Sequence, residues 1–232
     1  MARSFRFVPP EPRTDLLTRP RLLRSLAGRW EHRVTSLVGG PGLGKTTLLA
    51  QAIAENRLAP RGDDVWIGVE EHDADADRLA RVVATAMAGQ TEDGDRAHRS
   101  AWDENGWDPA AVAGAVWHRA PIEACIFFDD VHLVPAGSTA ATWLSDLVAA
   151  MPANGHLVLA SRMEPPVPLT RLGTQGGVLR LQEEDLRFSD EELQGFAVRR
   201  GLDPERLDDT GGWPAMAELA SSVGQRLTGA YL

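Results

Sequence analysis

Apolar runs of four or five residues recur along the chain at 34–38, 65–69, 124–128, 157–160 and 178–181. They are rich in Val, Ile, Leu and Phe, and each runs into a glycine, an acid or another polar residue, the form of short strands buried on both faces. Between them apolar residues follow helical spacing, which predicts helices over 21–29, 45–56, 76–88, 109–119 and 139–151. Strand and helix in alternation predict an α/β domain built on a mostly parallel, five-stranded sheet. Beyond residue 183 the pattern changes to short helices. Ser189-Asp190-Glu191-Glu192 has the form of a capping box, Gly201 closes that helix, Asp203-Pro204 opens another and Trp213-Pro214 a third. This divides the chain into a domain over 1–183 and a small helical subdomain over 184–232. The polar stretch from Gln90 to Asp108 reads as an exposed loop.

The chain has one lysine, Lys45, and it lies in Gly39-Gly40-Pro41-Gly42-Leu43-Gly44-Lys45-Thr46. That segment fits G-x-x-x-x-G-K-[ST], in which glycines free backbone N–H groups to curl around phosphates and the lysine adds a compact cation. A chance match in a chain of this composition is expected on the order of once in a thousand. The predicted strand before it and helix after it give the context that presents helix-terminal N–H groups to an anion. The run Cys125-Ile126-Phe127-Phe128 ends in Asp129-Asp130. In such a site Thr46 and Asp129 hold Mg²⁺ and Asp130 orients the attacking water; the bland alternative is a polar turn after a buried strand. Arg162, after the strand at 157–160, is placed either to reach a terminal phosphate or as a surface arginine before Pro165-Pro166; spacing does not choose between them.

Composition narrows the field. At 232 residues and 43% hydrophobic content the chain builds one substantial core, alone or with a small satellite. A single cysteine, Cys125, excludes an internal disulfide and a multi-cysteine zinc site and reads as an inert core thiol in a reducing, cytoplasmic setting. No apolar run approaches the roughly 18 residues of a membrane helix. The net charge of −9 is uneven: residues 1–33 carry eight arginines against Glu11, Asp15 and Glu31, a surplus of five positive charges that leaves −14 for the rest. Scattered arginines of this kind usually lie on a solvated face. Acids outnumber arginines in 184–232, which opposes reading its helices as a DNA-binding helix-turn-helix. Asp73-Ala74-Asp75-Ala76-Asp77 imitates a calcium loop but has Arg78 and Ala84 where glycine and glutamate are required, so it reads as a solvated helix start. The histidines show no metalloprotease spacing; His132, near the acidic pair, touches the site or orients its loop.

Taken together these segments resemble the signal-transduction ATPases with numerous domains, and among them the nucleotide-binding module of large bacterial LuxR-type regulators related to the maltose-regulon activator. The likeness runs through Leu16-Leu17-Thr18-Arg19-Pro20, the phosphate loop, Val65-Trp66-Ile67-Gly68-Val69-Glu70, Phe128-Asp129-Asp130-Val131-His132-Leu133, Ala160-Ser161-Arg162 and Gly211-Gly212-Trp213-Pro214. It implies ATP or ADP with Mg²⁺, phosphates held by residues from Gly39 to Thr47 (Gly39, Gly40, Pro41, Gly42, Leu43, Gly44, Lys45, Thr46 and Thr47), adenine cradled by the backbone around Leu17 and Arg19, and Pro214 packed near the base. It implies that the strand before Arg162 sits between the phosphate-loop strand and the Asp129 strand. It further implies a switch: ADP holds a resting form, ATP favours an open form that self-associates, and slow hydrolysis resets it. Relatives place Ala and an aromatic where this loop has Pro41-Gly42-Leu43, and they continue into further domains that bind DNA, so this chain is expected to be one module of a longer regulator. Another phosphate-loop enzyme, a small-molecule kinase or a ring ATPase using Arg119, Arg199 or Arg200 as a finger, is the alternative.

Overall fold

The computed structural model describes residues 5–13, 15–89 and 108–229, without the side chains of 5 and 223–229. The stretch 90–107, where the exposed loop is expected, lies outside the described residues.

Five strands form one sheet: β1 (Val34–Val38), β2 (Gly62–Gly68), β3 (Glu123–Asp129), β4 (Gly155–Ser161) and β5 (Val178–Leu181). Their order is β2-β3-β4-β1-β5, and every neighbouring pair is parallel. From β1 the chain crosses to the far edge, returns through β3 and β4 to the flank of β1, and closes with β5 on the other side. The strand ahead of Arg162 therefore lies between the β1 and β3 strands, as the resemblance implies.

Alternate residues of the central strands point to opposite faces, and each face is covered by helices, which makes three layers. Ala124, Ile126, Phe128, Leu157 and Leu159 face a core shared with α3 (Ala76–Ala88), α4 (Pro109–Trp117) and α5 (Thr139–Ala150). Cys125, Phe127, Val158 and Ala160 face a second core with α1 (Pro20–Ala27) and α2 (Lys45–Leu58). Cys125 is fully buried there, and burial pushes its thiol up, as an inert core residue requires. After the single turns α6 (Thr170–Thr174) and α7 (Glu183–Leu186), α8 (Asp190–Arg200) and α9 (Pro214–Gly229) close on a small core of Phe196, Ala197, Leu207 and Ala217. Ser189 caps α8 through the expected box, and Gly201 ends it in the left-handed conformation. Among the described residues no helix is long and apolar enough to cross a membrane.

Two polar expectations are corrected. The N-terminal arginines are a solvated face only in part: Arg13, Arg24 and Arg33 are exposed, whereas Arg19 and Arg29 are buried, and Arg6 pairs with buried Asp73 while its Nε donates to the Gly68 carbonyl at 3.0 Å. Asp73 is likewise no solvated helix start. It is fully buried between Arg6 and Arg78, and Asp75 is the residue that caps α3. In both cases opposite charges from distant segments meet in the interior, a pairing that local composition does not reveal.

Candidate nucleotide-binding site

At the carboxyl end of β1 the chain turns into α2 through Gly42 and Gly44, both left-handed at φ 81° and 79°. Gly44 is the N-cap of α2 and has no side chain to bond the first-turn N–H groups, which are left for an anion. Gly42 needs its hydrogen for a second reason: a Cβ there meets the Ala215 Cβ at 2.6 Å. The loop is tied to the sheet by the Gly39 N–H, which donates to the Ser161 carbonyl at 3.2 Å. Lys45 folds back over the loop, its Nζ donating to the carbonyls of Gly39 at 2.6 Å and Gly40 at 2.9 Å. Burial lowers its pKa, with Asp129 and Asp130 acting against that and Arg162 acting with it.

The end of β3 meets the start of α2. Thr46 Oγ1 donates to Asp129 Oδ2 at 2.7 Å, whereas the buried Oδ1 has no partner among the described residues. Burial pushes Asp129 up to about 6, against the Thr46 hydrogen bond that holds it down. Asp130 is the single described non-glycine residue with positive φ, 61°, a conformation that aspartate tolerates. It begins the short turn Val131–Leu133, in which His132 Nδ1 lies 3.6 Å from Asp130 Oδ1, too far for a hydrogen bond. Burial, with Arg162 and Lys45 adding to it and Asp130 opposing, holds the His132 ring below its usual value. Arg162 is exposed just past β4, close enough for its charge to act on Lys45 and His132. The ends of β1, β3 and β4 thus gather Lys45, Thr46, Asp129, Asp130, His132 and Arg162.

A magnesium ion fits this donor set. The orphaned Asp129 oxygen and the Thr46 hydroxyl are hard oxygen donors set against a phosphate loop. Among the described residues no group of three or more His, Cys, Asp or Glu could hold a metal. A cation here therefore depends on phosphate oxygens and water for its remaining ligands, the usual habit of Mg²⁺.

Beside the loop a cleft of about 250 Å³ opens between α2 and the C-terminal helices. Leu17, Arg19, Gly42, Gly44, Thr47 and Pro214 line it, all of them positions expected at a nucleotide. The Arg19 carbonyl accepts from the N–H groups of Leu22 and Leu23, and its side chain donates to the carbonyls of Leu43, Leu186 and Arg187 and stacks 5.1 Å from the Phe188 ring. Sequence reasoning missed the far wall of Phe188, Phe196 and Glu218 and the buried Gln51. Phe196 and Gln51 look from their spacing like ordinary helix positions, and nothing local marks Glu218. It also missed how the helices grip the loop. Trp213 Nε1 donates to the Pro41 carbonyl at 3.0 Å, the Ala215 N–H to the Gly42 carbonyl at 3.0 Å, and the Gly40 N–H to Glu183 Oε2 at 3.3 Å.

No protein-family profile matches the chain. Among solved structures it is similar to a Walker-type ATPase of Pyrococcus abyssi, with a TM-score of 0.51 and 13% identity over 90% of this chain and 68% of that one. It is also similar to the Aeropyrum pernix Orc1 protein in complex with DNA, with a TM-score of 0.55 and 15% identity over 89% and 59%. The fold is that of a P-loop NTPase. Among curated proteins the chain is similar to the HTH-type transcriptional regulator MalT of Yersinia enterocolitica, 26% identical over 219 residues. That alignment covers 88% of this chain and 23% of the regulator, so the chain spans about a quarter of its relative's length.

Proposed function

We propose that this chain is an ATP- and ADP-binding switch module with slow Mg²⁺-dependent ATP hydrolysis, serving inside a larger cytoplasmic transcriptional regulator. The observation that carries the reading is the joint between the phosphate loop and Asp129: the chain's sole lysine and an uncapped helix start stand next to a threonine–aspartate pair with one carboxylate oxygen unsatisfied. In this reading 1–183 is the nucleotide-binding domain and 184–232 its helical subdomain. The backbone from Gly39 to Thr46 and Lys45 hold the phosphates, Thr46 and Asp129 hold Mg²⁺, and the base lies in the cleft against Leu17, Thr47, Phe188 and Pro214. Bound Mg²⁺ supplies charge neutralisation on the phosphate oxygens. Asp130 orients a water toward the terminal phosphate, and Arg162, exposed past β4 and close enough for its charge to act on Lys45, answers to that phosphate's charge.

Similarity to MalT supports the regulator setting, with DNA contact and self-association in the ATP state assigned to the whole regulator. The grip of the C-terminal helices on Pro41 and Gly42 supports a switch rather than a kinase, because it joins the phosphate loop to an element that can transmit what the loop holds. Asp130→Asn tests the hydrolytic role. It should bind ATP like wild type and release phosphate at least about tenfold more slowly; an unchanged rate would remove Asp130 from the chemistry.

A further inference from the structure

Where β5 ends, α7 brings Glu183 across the mouth of the phosphate loop. Its Oε2 accepts from the Gly40 N–H at 3.3 Å, and its Oε1 accepts from Arg187 Nη2 at 2.9 Å. Gly40 is also one of the two residues whose carbonyls take the Lys45 ammonium. In a phosphate loop that ammonium serves the β and γ phosphates. Glu183 therefore stands at the terminal-phosphate end of the site, and it is absent from the residues lining the base cleft. Its charge and that of Lys45 act on each other, and Arg187, followed by the Gly40 N–H, holds its carboxyl below the usual range.

A Glu–Arg pair four residues apart, with each side chain about a third exposed, adds little stability. That ordinary role accounts for one carboxylate oxygen. The other sits on a loop N–H, the kind of donor that phosphate-binding loops present to anions. The chain thus places an anion of its own on a phosphate-loop donor, within electrostatic reach of Lys45.

Resting on the nucleotide-binding reading, we propose that Glu183 biases this site toward ADP and against ATP: its carboxylate is a resident anion that a third phosphate must displace and that a diphosphate leaves in place. Displacement does not stay local. Arg187, which holds Glu183, stacks 5.1 Å from the Trp213 ring, donates to the Gly211 carbonyl at 2.8 Å, and Trp213 in turn bonds Pro41. Expelling the carboxylate frees Arg187 and loads the segment that leads into α9. The number of phosphates is thereby converted into a change in how the C-terminal helices grip the loop.

The test is calorimetric titration of Mg-ATP and Mg-ADP into nucleotide-free wild type, Glu183→Gln, and Glu183→Gln combined with Arg187→Gln. Glutamine keeps an acceptor for the Gly40 N–H and removes the charge; the double variant separates loss of the carboxylate from an unmasked arginine. ATP affinity should rise about tenfold in both variants, with ADP affinity held within about twofold. Affinities for ATP and ADP that stay unchanged, or that move together, would overturn the proposal and leave Glu183 a structural contact. A shift confined to the single variant would assign the effect to Arg187 and overturn it as well. A folded wild type that binds neither nucleotide would overturn the nucleotide-binding reading and this inference together.

Discussion

Asp64 and Asp129 are both buried and both pushed up to about 6, and their partners set their different roles. Asp129 keeps an unsatisfied oxygen at the site. Asp64 is closed off: Arg29 Nη2 approaches both of its oxygens and Asn56 Nδ2 donates to one at 2.9 Å, while the Arg29 guanidinium lies 4.5 Å from the Trp30 ring and 5.6 Å from that of Phe127. Burial is the largest influence on Asp64, outweighing Arg29. Its value in the folded chain stands above the 3.8 of the free group, so the folded state prefers the protonated form. The stabilisation from that preference is complete below about pH 4 and is lost as pH rises through about 6. Wild type should therefore lose melting temperature relative to Asp64→Asn between about pH 4 and about pH 6.5. A difference that stays constant over that range would mean that Asp64 ionises as a free carboxylate does. The sequence pattern placed β2 at 65–69 and left Asp63 and Asp64 outside it. Acids are rare in buried strands, and these two are tolerated because Arg119 and Arg29, from distant segments, meet them. Lys45, Thr46 and Asp129 were legible for the opposite reason: each lies within a few residues of a glycine or apolar pattern that announces it.

At the level of elements, the strands and the longer helices were legible because each keeps its period over several residues: α3 and β5 match their expected bounds, and α2 extends two residues further. The first helix is shorter than expected, because Gly28 and Trp30 continue it as a tighter turn to Glu31. Strand order was not legible from pattern, since pairing β4 against β1 joins residues more than a hundred positions apart and leaves no local trace. The resemblance supplied one part of it, β4 between β1 and β3, and left the places of β2 and β5 open. The packing of α9 onto the phosphate loop was also hidden, although its residues were not: Gly42 reads as a phosphate-loop glycine, yet it also makes room for Ala215. Gly42→Ala combines a left-handed backbone with that contact. It should cost roughly 1–3 kcal/mol of stability, read as a melting temperature lower by several degrees, and weaken nucleotide binding in parallel. Trp213→Ala removes the bond to Pro41 and the surface on which Arg187 stacks. It should lower the apparent melting temperature and increase protease cleavage in the C-terminal helices more than in the sheet domain. Uniform cleavage would show that Trp213 does not hold those helices to the loop.

For the molecule as a whole, the three-layer fold sets the phosphate loop at the carboxyl ends of β1, β3 and β4, and the C-terminal helices form the second wall of the adjoining cleft. The cleft is lined by residues of both α2 and the C-terminal helices, so in the proposed switch a ligand bound there would touch both at once. The acidic balance, −9 overall, opposes a large nucleic-acid footprint on this chain. Hydrolysis, switching and the effect of Glu183 all depend on nucleotide binding through the phosphate loop. The most direct measurement is titration of ADP and ATP with Mg²⁺ into the nucleotide-free protein and into Lys45→Ala, with the melting temperature of each ligand-free form recorded. The account predicts saturable binding by wild type and a loss of at least about a hundredfold in Lys45→Ala, with the two ligand-free forms melting within a few degrees of each other. Undiminished binding by Lys45→Ala, or no binding by a folded wild type, would contradict it.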